Sequence, residues 1–246
     1  MPTRVTSLED LLNQFDNTPL TPTVNRVTMD AVAMYFELVG NLSEMYVVRA
    51  SAATLVGYTA ALNAFDPEVH SHGFICAPEV YATLSPANRV SYQGAADNLC
   101  AQFDYQWVNL VDATLPTEAY GSANVTLPDG RVIAPSLAAS VATTVTPVVT
   151  LATQTQTQSA NAWITESATY ASPAGHSWYY CNAVLNSSQR LVPLSLPVVA
   201  IATLRYFSEG FRANPAGQKF PLRTAIDTAL RLNPANIAAL NAAHCN

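Results

Sequence analysis

Three sets of side chains in this sequence have the types that chemistry uses. Glu68, His70 and His72 fall in the run Glu-Val-His-Ser-His, where two imidazoles at i and i+2 would share one face of a strand and offer two nitrogen ligands to a metal. No further His or acidic cluster is spaced to complete that set, so the sequence predicts a loop with incidental histidines. Asp112, His176 and Ser195 are the residue types of a serine nucleophile, its base and an orienting acid. No Gly-x-Ser-x-Gly elbow surrounds any serine, and no glycine-rich spot forms a phosphate loop. The third set is the four cysteines, Cys76, Cys100, Cys181 and Cys245, scattered with neither disulfide-like nor zinc-like spacing. Cys76 and Cys100 sit on apolar faces, where a thiol behaves as a small hydrophobe. Arg49, at the end of an apolar strand, is expected to pair with a carboxylate, Glu79 or Asp112. Among the tryptophans, Trp107 is expected in the core, while Trp163 and Trp178 have the chemistry of interface anchors. No residue is assigned to catalysis, cofactor binding or metal binding, and no cofactor is expected.

These residues have to be positioned by the stretch 73–113. Phe74, Ile75 and Cys76 form a short apolar run closed by Pro78, which fits a buried strand. Ser85 is placed to cap a helix with Pro86 at its first position, and Val90, Ala95, Leu99 and Phe103 follow at near-helical spacing. Trp107 to Val111 make a second apolar strand that stops at Asp112. Strand, helix, strand is a βαβ crossover, so 73–77 and 107–111 are predicted as parallel neighbours in one sheet.

Composition narrows the class. The chain has 246 residues, of which half are hydrophobic and 11% charged, enough to bury a sizeable core. No uncharged apolar run approaches the roughly 18–20 residues of a membrane helix. A formal charge of −6, with Lys219 the one lysine and no basic cluster, argues against a nucleic-acid-binding face. The N-terminus lacks the apolar core of a secretory signal, and cysteine usage suits a reducing, cytosolic origin.

Along the chain, Ser7 with Asp10 three positions on is an imperfect capping box for a first helix through Leu8, Leu11, Leu12 and Phe15. A second helix is predicted over 25–39, with Val27, Ala31, Met34 and Leu38 on one face and Gly40 as its stop. A strand follows over 45–49, then a helix over 52–65 despite Gly57, giving the order α-α-β-α-β-α-β. Between 114 and 159 charges nearly vanish. Asp129-Gly130 signals a hairpin between Val125–Leu127 and Arg131–Ile133, and the Thr/Gln tract that follows fits an exposed strand or a loop. Regular structure is expected to resume near Trp163, with a strand over 178–185, a loop bracketed by Pro193 and Pro197, a helix over 198–206, and a turn at 214–217. Asn233 and Pro234 open a last helix with Ile237 and Leu240 inward. The fold class predicted is α/β, a mostly parallel sheet flanked by helices with a β-rich insertion. The core domain is assigned to 1–113 and 160–246, and 114–159 to an inserted segment.

Taken in order, several motifs resemble the subunit of contractile phage tail sheaths, a family shared by myophages and related contractile injection systems. VTSLEDLLNQF, the helix after it and MYVVRA resemble the family's opening segment; GFICAPEVY resembles its strand-to-proline turn; FDYQWVNLVDA resembles its strand ending in aspartate. SPAGHSWYY, LVPLSLPVVAIATLRYFSEGFRANPAG and LNPANIAALNAAHCN resemble its aromatic strand, proline-serine loop with following helix, and terminal helix. The resemblance spans roughly 5–113 and 160–246. It implies a subtilisin-like core, which is why Asp112, His176 and Ser195 were weighed as a triad. It also implies a structural role: copies polymerise into a helical tube around a tail tube and contract to drive genome or effector delivery. The implied partners are further copies, the tail tube, baseplate and terminator proteins, in a virion assembled in the host cytoplasm, without nucleic-acid contact or membrane insertion. In that family an N-terminal arm and a C-terminal domain with its own arm add strands to neighbouring subunits. Neither is among these residues. A separate polypeptide supplies them, the sequence is a shortened form, or the segment 114–159 takes over the linking. Two other readings remain open: an α/β hydrolase-like enzyme with a cleft near Pro78 and Asp112, and an accessory virion protein built on the sheath core.

Overall fold

The computed structural model describes residues 1–15, 26–43, 45–66, 69–70, 73–102, 107–113, 125–126, 132–133, 160–170, 177–186, 191–210, 222–223, 225–228, 232–243 and 245. Its centre is a three-stranded parallel sheet in the order β3-β4-β7, formed by Gly73–Cys76, Trp107–Asp112 and Ser177–Tyr180. Gly73 pairs with Trp107 and Cys76 with Leu110, while Asn109 pairs with Ser177 and Asp112 with Tyr180. The predicted parallel pair is present, joined by α5 over Pro86–Gln102. Pro78 does more than end the strand. It opens a short helix, α4 (Pro78–Thr83), where its missing N–H costs nothing, in place of the simple strand end that the sequence predicts.

The architecture is mixed α/β, with the parallel sheet between helices and, among the described residues, three small antiparallel sheets. At the N-terminus β1 (Thr3–Val5), which the sequence reading missed, pairs antiparallel with β2 (Met45–Val47). Next comes α1 (Leu8–Phe15), where the capping box forms: the Asp10 N–H donates to Ser7 Oγ at 3.0 Å and the Thr6 N–H to Asp10 Oδ2 at 2.9 Å. Helix α2 runs over Arg26–Val39, ending at Gly40 in the left-handed region with φ +59°. Of its predicted inward face, Ala31 and Met34 are buried and Val27 and Leu38 half-buried; Val32, Tyr35, Phe36 and Val39 are buried as well. A face that wide fits a helix covered on two sides. Helix α3 is shorter than expected, Leu55–Leu62, with the Thr54 hydroxyl accepting from the Gly57 N–H. Within the segment 114–159 the described residues are β5 (Val125–Thr126) and β6 (Val132–Ile133), an antiparallel pair as the hairpin signal required. The Thr/Gln tract, Asp129-Gly130 and the 214–217 turn lie outside the described residues.

After it, α6 spans 160–169 and buries Ala160 and Trp163. The strand predicted over 178–185 is two strands in two sheets, β7 and β8 (Ala183–Asn186), because Asn182 takes φ +70° between them, a conformation asparagine tolerates. Strand β8 lies between β9 (Leu191–Pro193) and β10 (Ala225–Thr228), antiparallel to both. The loop expected between Pro193 and Pro197 is instead the end of β9 and the start of α7, Ser195–Glu209. Helix α8 (Pro234–Ala242) is capped as expected, Asn233 Oδ1 accepting from the Asn236 N–H at 2.8 Å. Leu240 is buried, but Ile237 is 45% exposed; Asn236 takes the inward position instead.

Alternation along the strands gives the sheet two different faces. Ile75, Trp107, Val111 and Tyr179 enter a core shared with α3, α4, α5, α6 and α8. Leu110, with Cys76, Val108 and Tyr180 beside it, enters a second core built by α1, α2, β8, β9 and α7. On α5 the buried face is Arg89, Tyr92, Gln93, Ala96, Leu99 and Cys100; of the predicted stripe Leu99 is buried and Ala95 half-buried, Val90 faces outward at 37% exposure, and Phe103 lies outside the described residues.

Candidate functional site

Strand β4 carries Asp112 to the C-terminal end of the sheet, and β9 delivers the start of α7 to the same place. There the Ser195 N–H donates to Asp112 Oδ1 at 2.8 Å and the Ser195 hydroxyl to Asp112 Oδ2 at 2.6 Å. Ser195 is fully buried and Asp112 2% exposed. Burial pushes the Asp112 carboxyl up to about 6, against the Ser195 hydroxyl and the Ser195 and Leu194 amides, which favour its charged form. The structure therefore brings two of the three candidate triad residues together, but in contact with each other. A triad places the imidazole between serine and acid, and a 2.6 Å bond leaves no space for a ring. His176 lies outside the described residues.

The remaining candidates have structural surroundings. His70 is buried; its Nδ1 accepts from the Asp66 N–H at 3.1 Å, and its ring meets Tyr46 and Phe65 edge-on at 4.7 and 5.4 Å between centroids. Its carbonyl accepts the Trp107 indole N–H at 2.9 Å. Glu68 and His72 lie outside the described residues, and among the described residues no group of three His, Cys, Asp or Glu is arranged to hold a metal. Arg49 reaches the Phe15 carbonyl and lies 6.0 Å from the centre of its ring. Its two expected partners have other bonds: Glu79 accepts from the Tyr58 hydroxyl at 3.0 Å, and Asp112 is held by Ser195. All four cysteines are free, and burial pushes the Cys100 and Cys181 thiols up to about 12, away from the reactive thiolate.

Two polar networks stand on the opposite face of the sheet. Arg89 of α5 donates from Nε to the Leu84 carbonyl at 2.7 Å and lies 3.6 Å from Glu166 of α6, which also accepts from the Tyr179 hydroxyl at 3.0 Å. Asp97 accepts from Gln93 at 2.7 Å and from the Ser177 hydroxyl, and Ser177 in turn accepts from Asn109 at 3.0 Å. These bonds fix α5 and α6 to the strands. None converges on an open cleft. Sequence reasoning missed them because their members are 68 to 84 residues apart or carry no motif.

At the surface, Phe74 of β3 and Trp178 of β7 are 38% and 40% exposed, with ring centroids 6.3 Å apart on the α7 side of the sheet. Tyr206 and Phe207, in the last turn of α7, are also more than half exposed. The strands that carry Phe74 and Trp178 have Asp112 as their one charge, and it is buried, so these two rings form an aromatic strip to which the sheet adds no exposed charge. Of the tryptophans, Trp163 is buried and Trp178 exposed.

No protein-family model matches the chain, and no curated protein matches it significantly. Among solved structures, the fold is similar to a chain in the cryo-EM structure of the anti-feeding prophage (AFP) baseplate, 6-fold symmetrised. The likeness covers 98% of this chain with a TM-score of 0.58 and 17% identity. The chain spans about half, 51%, of the length of that solved chain. At this identity the likeness is one of fold.

Proposed function

We propose that this protein is a structural component of a contractile-injection or phage-tail-like particle, and within that class a sheath-type subunit. The observation that carries the reading is the fold likeness over nearly the whole chain to a chain of such a particle. The ordered sheath-like motifs supply the finer assignment. In this reading the subunit repeats around a tail tube and changes lattice by rigid-body sliding and rotation, the energy residing in interfaces less favourable before contraction than after. Its partners are further copies and the tube, baseplate and terminator proteins. It acts in the particle, assembled in the host cytoplasm, with neither nucleic acid nor a cofactor, and without enzymatic turnover. Among the described residues no helix is long and apolar enough to cross a membrane. The closed Asp112–Ser195 contact and the aromatic strip both favour assembly over hydrolysis.

A specific observation keeps a second reading in view. The fold likeness to a baseplate-particle chain equally supports an accessory particle protein built on the same core. Negative-stain microscopy of the purified protein decides between them. Tubes or rings are expected for a sheath subunit and discrete caps for an accessory protein; monodisperse monomers with hydrolytic turnover would overturn both.

A further inference from the structure

We infer that Asp112 and the first turn of α7 form a proton-sensitive latch between the central sheet and that helix. The first amides of any helix lack partners within it and carry partial positive charge. Helix α7 has no local remedy: Leu194 occupies its cap position and makes no side-chain bond. The anion that completes it comes from 83 residues earlier, the carboxylate at the tip of β4, which takes both the amide and the hydroxyl of Ser195.

Among the described residues no cation is paired with that carboxylate. It faces the Cys76 thiol on β3, the Tyr180 phenol on β7 and the Tyr81 phenol on α4, all of them neutral groups whose ionisation is suppressed first by burial. Helix α2, packed against α7, carries the acids Asp30 and Glu37 and, at its first position, Arg26. Arg205 of α7 is bonded to Glu209 at the helix's other end. Among the described residues, the charge on Asp112 is thus held by hydrogen bonds at the helix terminus. A protonated carboxyl keeps the same contacts, still accepting the Ser195 amide while donating its O–H to the Ser195 oxygen.

The direction of the linkage follows. With α7 lifted, Asp112 is hydrated and titrates near its ordinary 3.8; docked, it titrates near 6. The docked state binds the proton more tightly, so the latch is tightest in acid and loosens as pH rises between about 4 and 6. Above that window both states are ionised and the effect levels off. A difference of about two pH units corresponds to about a 100-fold change in the opening equilibrium. This holds whether or not the protein assembles.

The test is amide hydrogen exchange between pH 4 and 8, corrected for intrinsic exchange chemistry, following Leu196 and Val198–Ala200 with Leu99 and Cys100 of α5 as reference. Opening of the α7 amides is expected to rise about 100-fold by pH 6.5 and then stay flat, with α7 opening more readily than α5 at pH 7. In Asp112→Asn the rise is expected to vanish. Protection that grows with pH, a variant that follows the wild-type curve, or α7 amides that open only together with α5 would overturn the latch. Should Asp112→Asn not fold, the carboxyl carbon of Asp112 in the wild-type protein, followed by NMR, is expected to titrate near pH 6. A midpoint below 4 would overturn the proposal equally.

Discussion

The two faces of the central sheet bury different kinds of core. On one side lie Tyr58, Tyr81, Tyr92, Tyr170, Tyr179, Trp107 and Trp163, with Arg89, Glu166 and Asn109 bonded among or beside them. On the other are mainly aliphatic side chains: Val5, Leu11, Val32, Val39, Leu110, Val184, Val192 and Val199. Aromatic rings and directed hydrogen bonds fix relative positions, whereas aliphatic packing requires mainly volume. The first core is therefore the one whose geometry is fixed by directed contacts. The second depends on the contact of α2 with α7, elements more than 150 residues apart in sequence.

The largest expected effect tests the aromatic side. Trp107→Ala removes a large ring that is 8% exposed together with its bond to the His70 carbonyl, and should cost about 3–5 kcal/mol in urea denaturation. A cost below about 1 kcal/mol would mean that the aromatic core does not carry the fold. On the aliphatic side Leu110→Ala should cost about 2–5 kcal/mol. The contrast lies in where the loss appears: amide protection should fall in α2 and α7 and persist in α5. Uniform loss would show that the two cores unfold as one.

Glu166→Gln sharpens the comparison from within the first core. It leaves the buried Arg89 without this neighbouring charge and weakens the acceptor for Tyr179, at about 1–3 kcal/mol. A neutral result would make the network incidental. Gly57→Ala should also destabilise, by about 1–3 kcal/mol, although alanine favours helices, because its Cβ would lie 2.3 Å from the Ala52 carbonyl oxygen and that atom is backbone. Stabilisation would mean that the chain before α3 yields.

What the sequence disclosed divides along the same line. The βαβ unit on 73–113 was legible because its strands, stop and helix are local signals within forty residues, and the Asn233 and Ser7 caps because capping is a matter of three or four positions. The start of α7 was not legible. Its cap comes from Asp112 across the sheet, so Leu194-Ser195-Leu196-Pro197 looks like loop until the fold is known. For the same reason the sequence brings Asp112 and Ser195 together only as triad residue types, with no elbow to support a triad, and gives no sign that their contact is a cap. The break at Asn182 and the outward turn of Ile237 and Val90 show the other limit, that an apolar residue inside a periodic stretch need not point inward when a polar neighbour such as Asn236 or Arg89 takes the buried position.

The smallest effect on stability is expected where neither core is involved. Phe74 and Trp178 lie at the edge of the aliphatic face, each more than a third exposed, so replacing Phe74 with Ser removes only part of a ring's burial and should cost about 1 kcal/mol or less. If the strip is a contact between copies, the same substitution should shift assembly far more than folding, since an aromatic pair excluded from water at an interface contributes disproportionately to binding. The measurement is paired: thermal unfolding of the isolated subunit, and sedimentation or negative-stain images of the assembled form. Assembly that survives both Phe74→Ser and Trp178→Ser, with subunit stability unchanged, would remove the strip from the lattice and leave Tyr206 and Phe207 as the aromatic surface to examine. A large loss of subunit stability would instead show that the edge of the sheet belongs to the aliphatic core, and that the boundary between the two regions lies further out than its exposure suggests.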